Sequence, residues 1–174
     1  MTLDMTSVQE LTAEFAKAKA ELTEKGKALF TEISQSLFEK HPKLESFGWR
    51  QYTDYFNDGE TCYFSVHADR DYGLTINDQD VDELENTRRE TYQNTGKKVM
   101  QMQGWGANRK EVEVDERAYL PNPNYDPVMG DMVNDVADLV NGIPSEVMED
   151  MFGDHAEITV TKDGVTVEEY SDHD

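Results

Sequence analysis

Apolar or small residues recur at Val8, Leu11, Phe15, Ala18, Leu22, Gly26, Leu29, Ile33 and Leu37. Steps of three and four hold such positions on one face of a helix, so the spacing predicts a long amphipathic helix over 7–40. Ser7 with Glu10 makes a capping box, and His41-Pro42 supplies the stop. The opposite side carries Lys17, Lys19, Glu21, Glu24, Lys25 and Lys27, a balanced surface for water. The stripe is expected to pack on a sheet; a seam with a second copy is the alternative.

The period then changes to two. Over 46–56, Phe47, Trp49 and Tyr55 alternate onto one face, with Tyr52 and Phe56 on the other. Asn57-Asp58-Gly59 marks a turn, 61–68 returns as the second strand of a hairpin, and a short third strand is expected at 72–76. One aromatic face should meet the long helix; the other is covered elsewhere or exposed. Asn77 or Asp78 is expected to cap a second helix with Val81, Leu84, Tyr92, Val99 and Met102 along its apolar side, weakened at Gly96. Gly104 to Asn108 reads as a loop, and Val112 and Val114 alternate with acids in an edge strand over 110–119. Pro121, Pro123 and Pro127 make 120–127 an irregular connector.

After the connector, a helix from Pro127 to about Val140 places Met129, Val133, Val136 and Val140 inward, and Gly142 ends it. A short helix from Pro144 to Phe152 buries Val147 and Met151. A second hairpin, 156–160 with 165–170 around Lys162-Asp163-Gly164, closes the chain. The sum is a single α+β domain over 1–174. Its long N-terminal amphipathic helix packs on an antiparallel sheet built from two β-hairpins, with further helices in the middle and the C-terminal third.

Composition sharpens this outline. The chain has 174 residues, 37% of them hydrophobic, which suffices for one core. The sequence has no apolar run long enough for a membrane span and no secretory pattern at its start, so a cytoplasmic location is the expectation. The single Cys62 sits among Tyr63, Phe64 and Val66 and reads as a buried packing residue. Net charge is −21, and it is unevenly placed: residues 111–174 hold 18 of the 37 acids with only two bases. Such a field repels nucleic acid and anionic membrane and attracts basic proteins.

The acids point to a surface. Asp131, Asp135 and Asp138 stand in one helical row, and Glu146, Glu149 and Asp150 line the exposed side of the next short helix. Carboxylates one turn apart lie about 5–6 Å from each other, a spacing comparable to neighbouring phosphates. Only Arg117 and Lys162 are near in sequence to offset them. Any one of these acids is also what an ordinary solvated helix carries; the density of the cluster is the signal.

Other chemistry is weaker. Asp78, Asp80 and Asp82 open like a calcium loop, but Glu83 and Arg89 stand where glycine and the closing glutamate belong, so an EF-hand is rejected. A three-residue turn at 162–164 would set His155 opposite Ser171 and Asp154 opposite Asp172, bringing His155 and His173 together as weak candidate metal ligands. The more ordinary expectation is a frayed terminus, with no cofactor and no metal. No nucleophile, phosphate-loop or metalloprotease motif is present. Trp49, Tyr52, Tyr55, Phe56, Tyr63 and Phe64 would suit base stacking, but a platform without basic residues favours the core.

The segment Trp49-x-Gln51-Tyr52-Thr53-x-Tyr55-Phe56-Asn57-Asp58-Gly59-Glu60 resembles an uncharacterised family of bacterial and phage proteins that share this hairpin. The ending Glu168-Glu169-Tyr170-x-Asp172-His173-Asp174 carries a lesser likeness. The resemblance implies a bacterial or phage setting and assigns no activity. Together these features lead to the expectation of an acidic, non-catalytic binding protein, a phage-type inhibitor or regulator docking on a basic, nucleic-acid-binding host protein by charge mimicry. The alternatives are an assembly component that self-associates through the N-terminal helix, and a metal-dependent enzyme using the C-terminal Asp-His pairs.

Overall fold

The computed structural model describes residues 5–55, 59 and 61–171. The expected turn at Asn57-Asp58, Phe56, the side chain of Ser7, and Asp172 with His173 lie outside the described set. In chain order the elements are α1 (Met5–Lys40), β1 (Ser46–Thr53), β2 (Phe64–His67), β3 (Thr75–Ile76), β4 (Gln79–Asp80), β5 (Glu90–Gln103), β6 (Lys110–Pro121), α2 (Pro127–Asn141), α3 (Ser145–Phe152), β7 (Ala156–Thr161) and β8 (Gly164–Glu169). The class is α+β, as the periodicity indicates. The chain divides into two compact units, Met1–Asp82 with Met132–Asp174, and Glu83–Asp131.

The first unit is built on a sheet of order β4-β3-β1-β7-β8, with β2 pairing the far half of β1. Every pairing is antiparallel, and the two hairpins meet where β1 lies along β7, Trp49 opposite Ile158. Alternation turns Phe47, Trp49 and Gln51 to one face, where all three are buried. Phe30 of α1, Trp49 and Phe152 of α3 meet edge to face at 5.3–5.7 Å, the geometry their ring quadrupoles favour. Met132, Val133, Val136 and Val140 of α2 are fully buried, at helical spacing.

Gln51 is a fully buried amide with a complete set of partners. Its Oε1 accepts the Trp49 indole N–H at 3.1 Å, while its Nε2 donates to the carbonyls of Met148 at 3.2 Å and Gly153 at 2.6 Å. It thereby satisfies a carbonyl that the end of α3 leaves without a helical partner. The opposite face of β1 is covered too: Tyr52 stacks on His67 at 4.2 Å and lies 5.3 Å from Tyr170.

Three expectations need correction, and the first concerns which helix faces are buried. Only the last third of α1 packs inward, through Phe30, Ser34, Leu37 and Phe38, followed by His41. Of the predicted stripe only Leu37 is buried and Gly26 is half-buried beside Met151, while the rest faces water: Val8 is 43% exposed, Leu11 66%, Phe15 74%, Leu22 68%, Leu29 59% and Ile33 49%. At about 100° per residue, the buried face is turned roughly 100° from that stripe. Among the described residues the helix already includes Met5, two residues before the expected cap. In α3, Met148 takes the core position expected of Val147, which stays 42% exposed.

The second correction concerns 77–102, which is not a helix. Asn77 and Asp78 both adopt positive φ, 52° and 60°, and make the two-residue turn between β3 and β4. Asn and Asp tolerate that conformation, and paired positive φ is the mark of the hairpin turn type that matches strand twist. Beyond the short 3-10 turns Val81–Glu83 and Glu85–Thr87, the chain enters β5.

The second unit centres on β5 and β6, a two-stranded antiparallel ribbon with Val99 opposite Val114 and Tyr92 opposite Tyr119. Thr91, Tyr92, Thr95 and Val99 favour extended backbone. Gly96, at φ 78°, sits in a bulge where the register shifts between Asn94 and Lys98. Asn94 Oδ1 accepts the Gly96 N–H there at 2.8 Å. A helix would have no place for that φ.

The third correction is one of register. The last hairpin turns on two residues, Lys162-Asp163, with Thr161 opposite Gly164. One residue fewer in the turn moves every later pair, so His155 sits against Tyr170, whose N–H donates to the His155 carbonyl at 2.8 Å.

Candidate partner-binding surface

The six acids expected to form a docking row have three different environments. Asp138, Glu146 and Glu149 are exposed, with no ion pair among the described residues. Asp135 and Asp150 are engaged by α1. Lys40 Nζ lies 2.6 Å from Asp135 Oδ2 and His41 Nε2 2.5 Å from the same oxygen, while Lys19 Nζ lies 2.7 Å from Asp150. Asp131 is exposed and belongs to the second unit, where its charge helps hold the Arg89 guanidinium above its ordinary value, behind the hydrogen bond and charge of Tyr125.

Burial alone would raise the Asp135 carboxyl, yet the hydrogen bonds and charges of Lys40 and His41 outweigh it and hold the group below the usual aspartate range. The ionised carboxylate can only accept, so His41 carries its proton on Nε2. The countercharges therefore come from the N-terminal helix, not from Arg117 or Lys162. Nothing local in sequence marks the pairing, because His41 and Asp135 are 94 residues apart.

Charge also separates by unit. Residues 83–131 hold nine acids and seven bases, which leaves 28 acids and nine bases in the larger unit. Within the ribbon, 91–110 contains Lys97, Lys98, Arg109 and Lys110 and no acid at all. Trp105, 92% exposed, lies at its turn with exposed Met100 and Met102 on the strand leading to it. Along β5 from Gly96 onward, both polar and apolar side chains are exposed.

Asp154 and His155 serve the hairpin's base. Asp154 Oδ1 accepts the Thr53 and His155 N–H groups, each at 2.8 Å, and His155 stacks on Tyr55 at 4.6 Å. Burial opposes ionisation of Asp154, but these hydrogen bonds prevail and keep its carboxyl below the ordinary value. Among the described residues no three His, Cys, Asp or Glu side chains gather closely enough to hold a metal ion. Asp78 accepts the Ser46 hydroxyl at 3.1 Å and shapes a turn. Among the described residues no helix is long and apolar enough to cross a membrane.

Among the described residues, His67 Nε2 is a buried polar atom with no hydrogen bond. Burial lowers the His67 pKa, against the opposing charges of Asp54 and Asp69, and the ring is packed between Tyr52 and Tyr72. In the sequence it is only a strand histidine, with nothing beside it to mark the packing. No protein-family profile matches the chain, and no match was found among curated proteins or among solved structures.

Proposed function

We propose that this protein is a non-catalytic binding protein that docks an acidic surface on a basic, nucleic-acid-binding protein. It would stand in for the charge of a nucleic-acid strand, as a phage-type inhibitor or regulator acting on a host enzyme does. The observation behind it is the segregation of charge: 28 acids against nine bases in one unit, with Asp138, Glu146 and Glu149 held in water on two helices. Those helices are fixed by buried Val133, Val136, Val140, Met148 and Met151, so the carboxylates are carried on a packed scaffold. A field of this kind speeds encounter with a basic groove and weakens as salt screens it.

The immobilised protein is expected to retain a basic protein from bacterial lysate at about 50 mM salt and release it by about 500 mM. A variant carrying Asp138→Asn, Glu146→Gln and Glu149→Gln is expected to retain at least roughly tenfold less. A complex indifferent to both salt and these substitutions would sink the reading.

A further inference from the structure

We infer that α1 pairs with α1 of a second copy of this chain, in parallel and in register, through the face its own core does not use. Three independent observations lead there. From Val8 to Leu22 every residue of the helix is exposed, on all sides. This stretch continues the packed part of α1 but has only its own propensity to hold it, whereas most helical stability comes from packing an amphipathic face. A partner is therefore what this half of α1 lacks.

The second observation is the repeat. Val8, Phe15, Leu22 and Leu29 are spaced by seven, and Leu11 and Ala18 fall between them, giving successive a and d positions of a heptad. A repeat of 3.5 residues per turn follows a neighbouring helix, since a straight helix at 3.6 drifts away from it. Lys25, at the third d position, is the only charged residue on the seam; its long stem can lie along the seam while the ammonium stays in water. From Val8 to Leu29 the seam is about 32 Å long at 1.5 Å per residue.

The third observation is charge beside the seam. Glu14 and Glu21 occupy g positions and Lys19 an e position. In a parallel pair, g faces the e position five residues on in the partner, so Glu14 meets the partner's Lys19, and the two-fold axis supplies the reciprocal contact. An antiparallel pair would set glutamate against glutamate. Lys19 already binds Asp150 but remains 57% exposed, and its ammonium has donors for both carboxylates. A groove of about 300 Å³ between α1 and α3, lined by Leu22, Gly26, Val147 and Met151, adjoins the seam and extends its apolar surface.

The test uses the full chain. Sedimentation across a concentration series is expected to show a monomer–dimer equilibrium, and Phe15→Glu with Leu22→Asp is expected to weaken it roughly 100-fold or more, since charges would then be buried without partners. Both sites are exposed in the monomer, so the cooperative thermal transition should persist and separate loss of pairing from loss of fold. Leu11→Cys in a Cys62→Ser background should form an intermolecular disulfide on mild oxidation, which only the parallel arrangement allows. Three results overturn the proposal: a monomer at every concentration, a dimer untouched by the seam variant, or a dimer of the Leu11→Cys variant that does not cross-link. A monomer whose stripe is covered by a different protein's helix would count with the first of these. The acidic residues of α2 and α3 are untouched in these variants, so the outcome is independent of the docking function proposed above.

Discussion

The six-stranded sheet and the two-stranded ribbon are both antiparallel, yet they treat their side chains in opposite ways. In the sheet, β1 buries Phe47, Trp49 and Gln51 completely and β7 buries Ala156, Ile158 and Val160. In the ribbon, β5 from Gly96 onward exposes every residue. Pairing of backbones is common to both, so pairing alone does not decide where apolar groups go. What differs is the depth of burial: helices lie over the sheet's inner face, while in the ribbon the best-covered positions, such as Val112 and Val114, are only half-buried. A two-stranded hairpin has little independent stability, and the two regions should therefore fail separately.

The strongest way to break the contrast is at its buried end. Trp49→Ala removes the ring shared by Phe30, Phe47 and Phe152 and should cost about 3–5 kcal/mol in urea-induced unfolding. A loss below about 1 kcal/mol would mean the sheet is no better supported than the ribbon.

A smaller effect is expected in the helices over the sheet. The Asp135 carboxyl lies below its ordinary value of 3.8, so its contribution to stability is present above that value and is lost as pH falls through the still lower native one. Asp135→Asn should flatten part of the acid limb of stability against pH. At neutral pH it should cost no more than about 1 kcal/mol, since the ion pairs are partly in water. An unchanged acid limb would show that Lys40 and His41 contribute nothing through this carboxylate.

The least effect belongs to the ribbon. Trp105→Ser, at a position in full contact with water, should alter global stability by no more than about 0.5 kcal/mol. Amide exchange should also be much faster in 97–103 than in 156–160. Protection of the ribbon equal to that of β7 would erase the distinction.

This contrast also explains what can be read from the chain. Strands β1, β7 and β8 and helices α2 and α3 are legible because each has a buried side or turn residues at its ends: Val133, Val136 and Val140 mark a helix face, and Ala156, Ile158 and Val160 a strand face. Strand β6 is legible as well, since Val112 and Val114 alternate with acids and are half-buried; β5 hides because its half-buried positions Thr91, Gln93 and Thr95 are polar and every residue from Gly96 onward is exposed. Val81, Leu84, Tyr92, Val99 and Met102 fall on helical spacing by accident. For α1 the stripe is plain but its destination is not, since a core and a second helix select the same residues. Around the acids expected to dock, the pairing with Lys19, Lys40 and His41 is invisible in the sequence because a countercharge far along the chain leaves no local pattern. The His155 register turns on one residue of the hairpin loop, which changes every later neighbour.

Lys19 stands at the meeting of two surfaces. It flanks the seam proposed for α1 and also offsets Asp150 on α3. If Glu14 of a second copy shares that ammonium, Asp150 keeps less of it, and the acidic face becomes more negative when the chains pair. Linkage makes the effect mutual: a basic partner that draws on Asp150 would release Lys19 toward the seam and tighten the pair by the same free energy. On the pairing and docking proposed above, replacing Lys19 with a neutral residue of similar length is expected to uncouple the two equilibria.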